Sequence, residues 1–337
     1  MLWGVVVLVL VLPLAVRAVE ENIELFLLAA GALAVSLCSR WSAALAGESV
    51  TAPVPIALAV LAVGLALHYG RRVLDAWFRR VLKRLPRRLL LFLLVAGLGL
   101  VSSALTAIIS ALLLVEAIHL LKLPRKQETA VTVLACYSIS LGAVLTPLGE
   151  PLSAIATAKL RGDFWFLGRM MWPWVVPGIL ALGIAAAMTR ARHGGSTLGD
   201  RDRRESLDAV FRRAGKVFVF VGALVLLGTG LSPLADRYIP RLPAGGLYWA
   251  NCLSAVLDNA TLAAAEITPA MSHDQLKAVL LGLLLSGGML VPGNIPNIIS
   301  AGHLRIRSRE WARSAFLPGI ILLSVYFLAW LLSAQTA

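Results

Sequence analysis

Four acidic residues, Glu116, Glu150, Asp258 and Glu266, stand inside long apolar runs. An acid at mid-membrane costs about 3 kcal/mol on insertion scales, so each is a candidate for chemistry rather than solubility. Two of them lie at expected helix breaks. Glu150 falls in Thr146-Pro147-Leu148-Gly149-Glu150-Pro151, and Asp258 in the polar centre Ser254-Ala255-Val256-Leu257-Asp258-Asn259-Ala260-Thr261. A third interruption, Pro292-Gly293-Asn294-Ile295-Pro296-Asn297, contains no acid. Unwound backbone releases carbonyl oxygens, and a carboxylate beside them completes the hard oxygen set that Na⁺ prefers. Glu150 and Asp258 are therefore the candidate ligands for a monovalent cation. Asn259, Thr261, Asn294, Asn297, Thr146, Ser102, Ser103 and Thr106 can add neutral oxygens. A carboxylate in a low-dielectric site holds its proton to higher pH, so proton and cation compete for it near neutrality. That competition is the chemistry of antiport.

Structural roles stand beside each of these. Glu150 precedes Pro151 and can cap the half-helix that follows, whose positive end favours a carboxylate; Asp258 can do the same. Capping does not preclude binding. Glu116 stands one turn before His119, as a proton relay or as a structural pair. Glu266 lies towards the outer end of its segment, where it faces water or joins the relay. His68 sits near a basic loop and reads as interfacial. Trp165, Trp172 and Trp174 read as an aromatic interface belt. Cys38, Cys136 and Cys252 have no metal-type spacing and read as small buried hydrophobes. His-Glu-x-x-His, Gly-x-Ser-x-Gly and Walker motifs are all missing, so an enzyme, a resident cofactor and nucleotide-driven transport are not expected.

The elements that must hold these residues are membrane helices. Of 337 residues 59% are hydrophobic and only 15% charged, too few charges for a water-facing surface. Residues 52–70, 172–189, 215–231 and 314–333 approach the roughly 20 apolar residues that a span requires. Period-two alternation is lacking, which favours helices over a barrel. The net charge of +13 is distributed in short runs between apolar segments, which fits cytoplasmic loops and not nucleic-acid binding. Residues 1–18 read as the first membrane helix, with a cleaved signal peptide as the alternative.

The charge pattern then sets the plan. Residues 1–51 hold N-terminal transmembrane helices, 52–189 a first repeat, 190–214 a basic cytoplasmic linker and 215–337 a second repeat. Segment 89–121 has basic residues at both ends and would be about 50 Å long as one helix. It is read as a re-entrant hairpin with its tip at Ser102-Ser103-Ala104-Leu105-Thr106, against one tilted helix or two ordinary spans. Segment 128–158 is a broken helix. The second half repeats the order, with a hairpin over 244–271 and a broken helix over 275–300. Counting spans inverts it relative to the first half. Paired Pro/Gly-interrupted segments in two halves point to a binding site near the midplane.

At these motifs the chain resembles the ion transporter superfamily, which includes arsenite permeases, D-type sodium/proton antiporters and divalent-anion/sodium symporters. Ser254 to Thr261 is similar to that group's second hairpin, and 146–151 and 292–297 to its unwound helices. Within the group the chain is most similar to a compact family of cation transporters defined by domain of unknown function 1646. The resemblance covers the chain from about residue 50 onward. It implies an elevator motion of a hairpin-bearing domain against a homodimeric scaffold in the cell (inner) membrane. The symporters carry Ser-Asn-Thr in both hairpins. Here the first has Thr106-Ala107-Ile108-Ile109 and the second Asp258-Asn259-Ala260-Thr261, which weighs against a dicarboxylate or sulfate substrate. The expectation is an all-α polytopic secondary transporter exchanging Na⁺ for H⁺, with lipid and a small inorganic ion as partners. The alternatives are a Na⁺-coupled symporter of a small anion and a non-transporting membrane scaffold.

Overall fold

The computed structural model describes residues 1–16, 19, 22–55, 57, 58, 61, 62, 65, 69, 70, 85–189, 207–238, 241–255 and 259–335. Those residues form helices, with no strand among them. Four helices are long and apolar enough to cross a bilayer: Arg87–Leu105, Phe166–Met188, Val210–Leu234 and Ser308–Ser333, with mean hydropathy of 2.1, 1.7, 2.2 and 2.2. The described residues are thus all-helical, with the helices of a membrane protein. Most of the basic segment 71–88, the linker as far as residue 206, His68 and Asp258 lie outside the described residues.

Two compact units emerge. The first comprises Met1–Arg72, Arg203–Leu242 and Ala260–Met271. It contains α1 (Leu2–Ala15), α2 (Ile23–Leu37), α3 (Ala43–Thr51) and α9 (Leu207–Tyr238). Helix α9 begins inside the segment read as linker, because Asp208 and Arg212 pair at 2.9 Å across its first turn. The core of this unit is the α2–α9 seam, built from small residues that let backbones approach. A Cβ on Gly230 would come within 2.5 Å of Ala34 Cβ, and one on Gly31 within 2.9 Å of Leu226 Cβ. The buried Glu24 pairs with Lys216 at 2.8 Å, and Cys38 donates to the Gly230 carbonyl at 3.3 Å. Gly230→Leu should push the helices apart and cost about 3 kcal/mol, the upper end of an overpacking penalty. Denaturant titration in mixed micelles would measure it, with the exposed-site control Gly215→Leu near zero.

The second unit comprises Val73–Asp202, Pro243–Asn259 and Ser272–Ala337. Helix α4 (Arg87–Leu105) turns at Thr106 into α5 (Ala107–Leu121). Helix α6 (Arg125–Ala143) runs into an irregular segment and then α7 (Pro151–Lys159), followed by α8 (Phe166–Met188). After the linker come α10 (Ala244–Ala250), a 3₁₀ turn over Asn251–Ala255, and α11 (Asn259–Glu266), which continues into the first unit. Helix α12 (His273–Gly287), a 3₁₀ turn over Val291–Gly293, α13 (Ile295–Leu304) and α14 (Ser308–Gln335) complete the chain.

Helix α6 is the buried axis of this unit, with a buried residue at nearly every position. Glycines set its closest crossing: a Cβ on Gly142 would overlap the Gly99 carbonyl of α4. Ser138 donates to the Val95 carbonyl at 2.9 Å along the same seam. On α8, Pro177 leaves the carbonyl of residue 173 without its helical donor. The hydroxyl of Tyr326 donates to the neighbouring Trp174 carbonyl at 2.8 Å, in contact with Gly178. Trp165 and Trp172 are exposed, while Trp174 is half-buried against Tyr326.

Candidate functional site

The two broken helices of the second unit share one local geometry at a constant spacing of 144 residues. Helices α6 and α12 end at Ala143 and Gly287; α7 and α13 begin at Pro151 and Ile295. The C-cap residues have almost the same dihedrals, −70°, −18° at Val144 and −72°, −17° at Gly288. Leu145 N–H donates to the Gly142 carbonyl at 3.1 Å, and Met289 to Ser286 at 3.0 Å. Gly149 donates to Thr146 at 3.1 Å, and Gly293 to Leu290 at 3.4 Å. The N-caps Glu150 and Asn294 are both extended, at −156°, 163° and −157°, 145°. Each half-helix then closes through a left-handed arginine, Arg161 and Arg305, both at φ 51°. Gly162 bonds the Thr157 carbonyl and Ile306 the Ala301 carbonyl, each at 2.9 Å.

Two glycines make these turns possible. A Cβ on Gly149 would overlap the Ala143 carbonyl, and one on Gly293 would overlap the Gly287 and Ser254 carbonyls. The unwound chain therefore folds back onto the end of its own first helix at both breaks.

A serine ahead of each break repeats the correspondence. Ser102 Oγ donates to the Ile139 carbonyl at 2.9 Å, and Ser254 Oγ to the Leu283 carbonyl at 3.2 Å. Those acceptors are themselves equivalent positions of α6 and α12. Both serines are fully buried.

The expected tip residues are arranged differently from a polar loop. Helix α4 continues through Ser102, Ser103 and Leu105, and the direction changes at Thr106 alone, at φ 72°, ψ 149°. At 19 residues α4 is about 28 Å long, enough to cross the hydrocarbon core. Ser102 also shares its proton with the Gly99 carbonyl at 2.7 Å, and the half-buried Ser103 donates to the Leu100 carbonyl at 3.0 Å. Polar side chains inside a helix satisfy themselves on the preceding turn, so serine need not mark unwinding. Thr106 Oγ1 caps α5 by accepting from Ile109 N–H at 3.3 Å. Thr146 donates to the Ser103 carbonyl, and Ala107 N–H donates to the Gly149 carbonyl at 2.6 Å. These two bonds join the hairpin turn to the first break.

Glu150 is buried at the head of α7, in a reciprocal capping box with Ser153. Ser153 also donates to the Glu150 carbonyl at 2.7 Å. Asn297 stands at the position equivalent to Ser153 and pins the second break: its Nδ2 donates to Gly287 and Leu290 carbonyls at 2.8 and 2.9 Å. Asn294 Nδ2 donates to Ser140 Oγ on α6, whose own proton goes to the Cys136 carbonyl at 2.9 Å. That fixes the amide orientation and turns Oδ1 away from Ser140. Cys136 packs nearby, 3.6 Å from the Pro296 carbonyl and 3.5 Å from Ser300 Oγ.

Among the described residues of this unit, three buried amide oxygens have no hydrogen-bond partner: Asn294 Oδ1, Asn297 Oδ1 and Asn251 Oδ1. Leaving such a group unsatisfied costs about 1–3 kcal/mol, so each invites a ligand that accepts an oxygen lone pair. A small cation does so. Asn251 and Ser140 were not among the sequence candidates. Asn251 is a single amide three residues before Ser254, and its backbone carbonyl accepts from Ser286 Oγ at 2.6 Å. That spacing was the available signal.

The other candidates fall elsewhere. Asn259 is buried at the head of α11, with Nδ2 unbonded. The Thr261 side chain, like Asp258, is outside the described residues. Glu116 is half-buried and His119 exposed on α5, one turn apart. Glu266 ends α11 in the first unit, whereas Glu150 belongs to the second. No group of three or more His, Cys, Asp or Glu suited to a metal occurs among the described residues.

Removing the pin at the second break should be costly. Asn297→Ala strips one buried and one half-buried carbonyl of their donor, so we expect a loss of about 2–3 kcal/mol. Amide hydrogen exchange should rise across 288–293 first, before global unfolding.

The family described as protein of unknown function (DUF1646) matches residues 1–332. No curated protein matches the chain.

Proposed function

The chain belongs to the DUF1646 family, and from that premise we propose that it is a secondary active transporter of a monovalent cation, with Na⁺ exchanged for protons. The observation that carries this reading is the pair of equivalent helix breaks, one capped by the buried Glu150, with unpartnered amide oxygens at Asn294, Asn297 and Asn251. One carboxylate and several neutral oxygens form the donor set that a hard monovalent cation takes. Glu150 would exchange a proton for the cation, and the asparagines would hold the ion through neutral dipoles. Asp258 would supply a second carboxylate.

The constant spacing supports duplicated halves, which we read as an inverted repeat with re-entrant hairpins. Membership of the ion transporter superfamily, an elevator motion, a homodimer and residence in the cell's inner membrane belong to the same proposal.

A second reading has its own observation. Helix α13 starts after the neutral N-cap residue Asn294, whose side chain makes no capping bond, and has no acid in its first turn, so its positive end is not offset by a carboxylate. A Na⁺-coupled symporter of a small anion would use that end for the anion. A passive scaffold has no use for two matched breaks with unbonded oxygens.

Proteoliposomes with an internal pH dye decide between them. Under the antiport reading, an imposed Na⁺ or Li⁺ gradient changes internal pH, and the change disappears in Glu150→Gln and in Asp258→Asn. A flat trace for Na⁺, K⁺, Li⁺ and Ca²⁺ would sink antiport; anion uptake with and without Na⁺ then tests the symporter.

A further inference from the structure

A basic cavity of about 950 Å³ opens beside the start of α6, walled by the α13–α14 turn. Its cations are more numerous than its acids. Arg125 is engaged by Glu128 and Glu310 at 2.6 and 2.8 Å. Lys126, Arg305, Arg307, Arg309 and Arg313 line the same cavity, and none has an acidic partner among the described residues. All five are exposed. Like charges brought this close repel one another, so the cavity is relaxed by an anion.

The same face of α14 identifies which anion. Arg309, Arg313, Phe316 and Ile320 follow one another at steps of four, three and four, so they form one stripe along the helix. Phe316 is 53% exposed and Ile320 43%. The stripe is thus basic at its first two turns and apolar beyond, at the end of a helix long and apolar enough to span a bilayer. A free phosphate would use the basic half only. A phospholipid matches both halves: phosphate among the arginines, acyl chain over Phe316 and Ile320.

We propose that this cavity is a binding site for an anionic phospholipid headgroup. Basic pockets at the ends of membrane helices gain about 1 kcal/mol per Lys or Arg from anionic lipid. Five cations exceed what one phosphate needs, so a diphosphatidyl lipid should bind more tightly than a monophosphate one. The inference is independent of what is transported, since none of these residues lies in the unwound segments 144–150 and 288–294.

The test uses the full chain in detergent, with native mass spectrometry and thermal melting against cardiolipin, phosphatidylglycerol, phosphatidylcholine and inorganic phosphate. Cardiolipin should bind most tightly, phosphatidylglycerol next, and phosphatidylcholine and phosphate should leave the melting temperature unchanged. Combining Arg307→Gln, Arg309→Gln and Arg313→Gln should weaken cardiolipin on the order of 100-fold. A charge-matched control, Arg161→Gln, Arg237→Gln and Arg241→Gln, should leave it within about threefold, as those charges lie outside the cavity. If the triple variant does not fold, Arg309→Gln alone should weaken binding roughly fivefold. Unchanged cardiolipin affinity in the cavity variants would overturn the site. Equal binding of phosphate would make it a free-anion site, and equal binding of phosphatidylcholine would reduce it to ordinary lipid contact; either result overturns the proposal as well.

Discussion

Under the proposed antiport, Glu150→Gln should leave the protein folded while reducing cation-driven proton movement about 100-fold. The two halves of that expectation come from different physics. The glutamine still offers an oxygen to the Ser153 N–H, so the capping box at the head of α7 persists. What it loses in stability is the charge at a helix N-terminus, about 0.3–1 kcal/mol. Transport loses more. A carboxylate that ligates the ion contributes about 2–3 kcal/mol as a charged partner, which is roughly 100-fold in binding. The exchangeable proton vanishes with it. Glu150→Ala separates the roles from the other side, because it removes the cap and costs a further ~1 kcal/mol. Glu150→Asp keeps the charge and a good cap but withdraws the carboxylate by one methylene, so stability should hold and transport fall in part. Melting temperature and initial rate of dye response, taken on all three variants, give the answer. If transport falls only in proportion to melting temperature, Glu150 is a structural cap and the cation must be held elsewhere.

The interruptions at 146–151 and 292–297 were legible because proline and glycine act on the backbone locally, whatever surrounds them. Three of the four long apolar helices were legible for a similar reason, since composition over twenty residues reports a lipid-facing environment; the fourth, Arg87–Leu105, was read as one arm of a hairpin, and much of the expected span 52–70 lies outside the described residues. The register between the breaks was less so. Aligning the motifs on their first prolines pairs Pro147 with Pro292, a spacing of 145, whereas the turns pair Gly149 with Gly293 and Glu150 with Asn294. Backbone geometry follows the glycine that lets the chain fold back, and the prolines only need to be near. The hairpin tip was placed over Ser102 to Thr106, and the turn falls on its last residue, Thr106, while Ser102 is a strut between helices. Its function depends on Ile139, a partner that no local pattern announces. Asn251 and Ser140 escaped for the same reason: each is an isolated polar residue, and only the fold brings Ser140 to Asn294 and Asn251 to Ser286.

Glu128 is the clearest case, and it carries the second large prediction. In sequence it is an acid three residues after Arg125, in the first turn of a helix, where acids are favoured and usually wet. In the fold it is 2% exposed. Arg125 reaches it at 2.6 Å and simultaneously grips Glu310 through Nε at 2.8 Å and Nη2 at 2.9 Å. The same guanidinium donates to the Leu304 and Arg305 carbonyls at 2.8 and 2.7 Å, the last carbonyls of α13. One side chain thus ties the starts of α6 and α14 to the end of the second half-helix, which a planar five-donor group can do and lysine cannot. Arg125→Met should therefore cost about 3 kcal/mol, because it strands the Glu128 carboxylate in the interior; breaking a buried pair costs roughly 3–5, and the 30% exposure of Arg125 places this one at the low end. Glu310→Gln should cost less than about 1 kcal/mol, since that carboxylate is 32% exposed and water can replace the arginine. The double variant Arg125→Met/Glu128→Gln should recover more than half of the loss, because no buried charge remains, leaving the uncapped end of α13 as the residue of the effect. Denaturant midpoints for wild type, Arg125→Met, Glu128→Gln and the double variant close the cycle, with Glu310→Gln measured beside it. If the double variant is as unstable as Arg125→Met, the clamp acts through the α13 carbonyls and not through the buried acid.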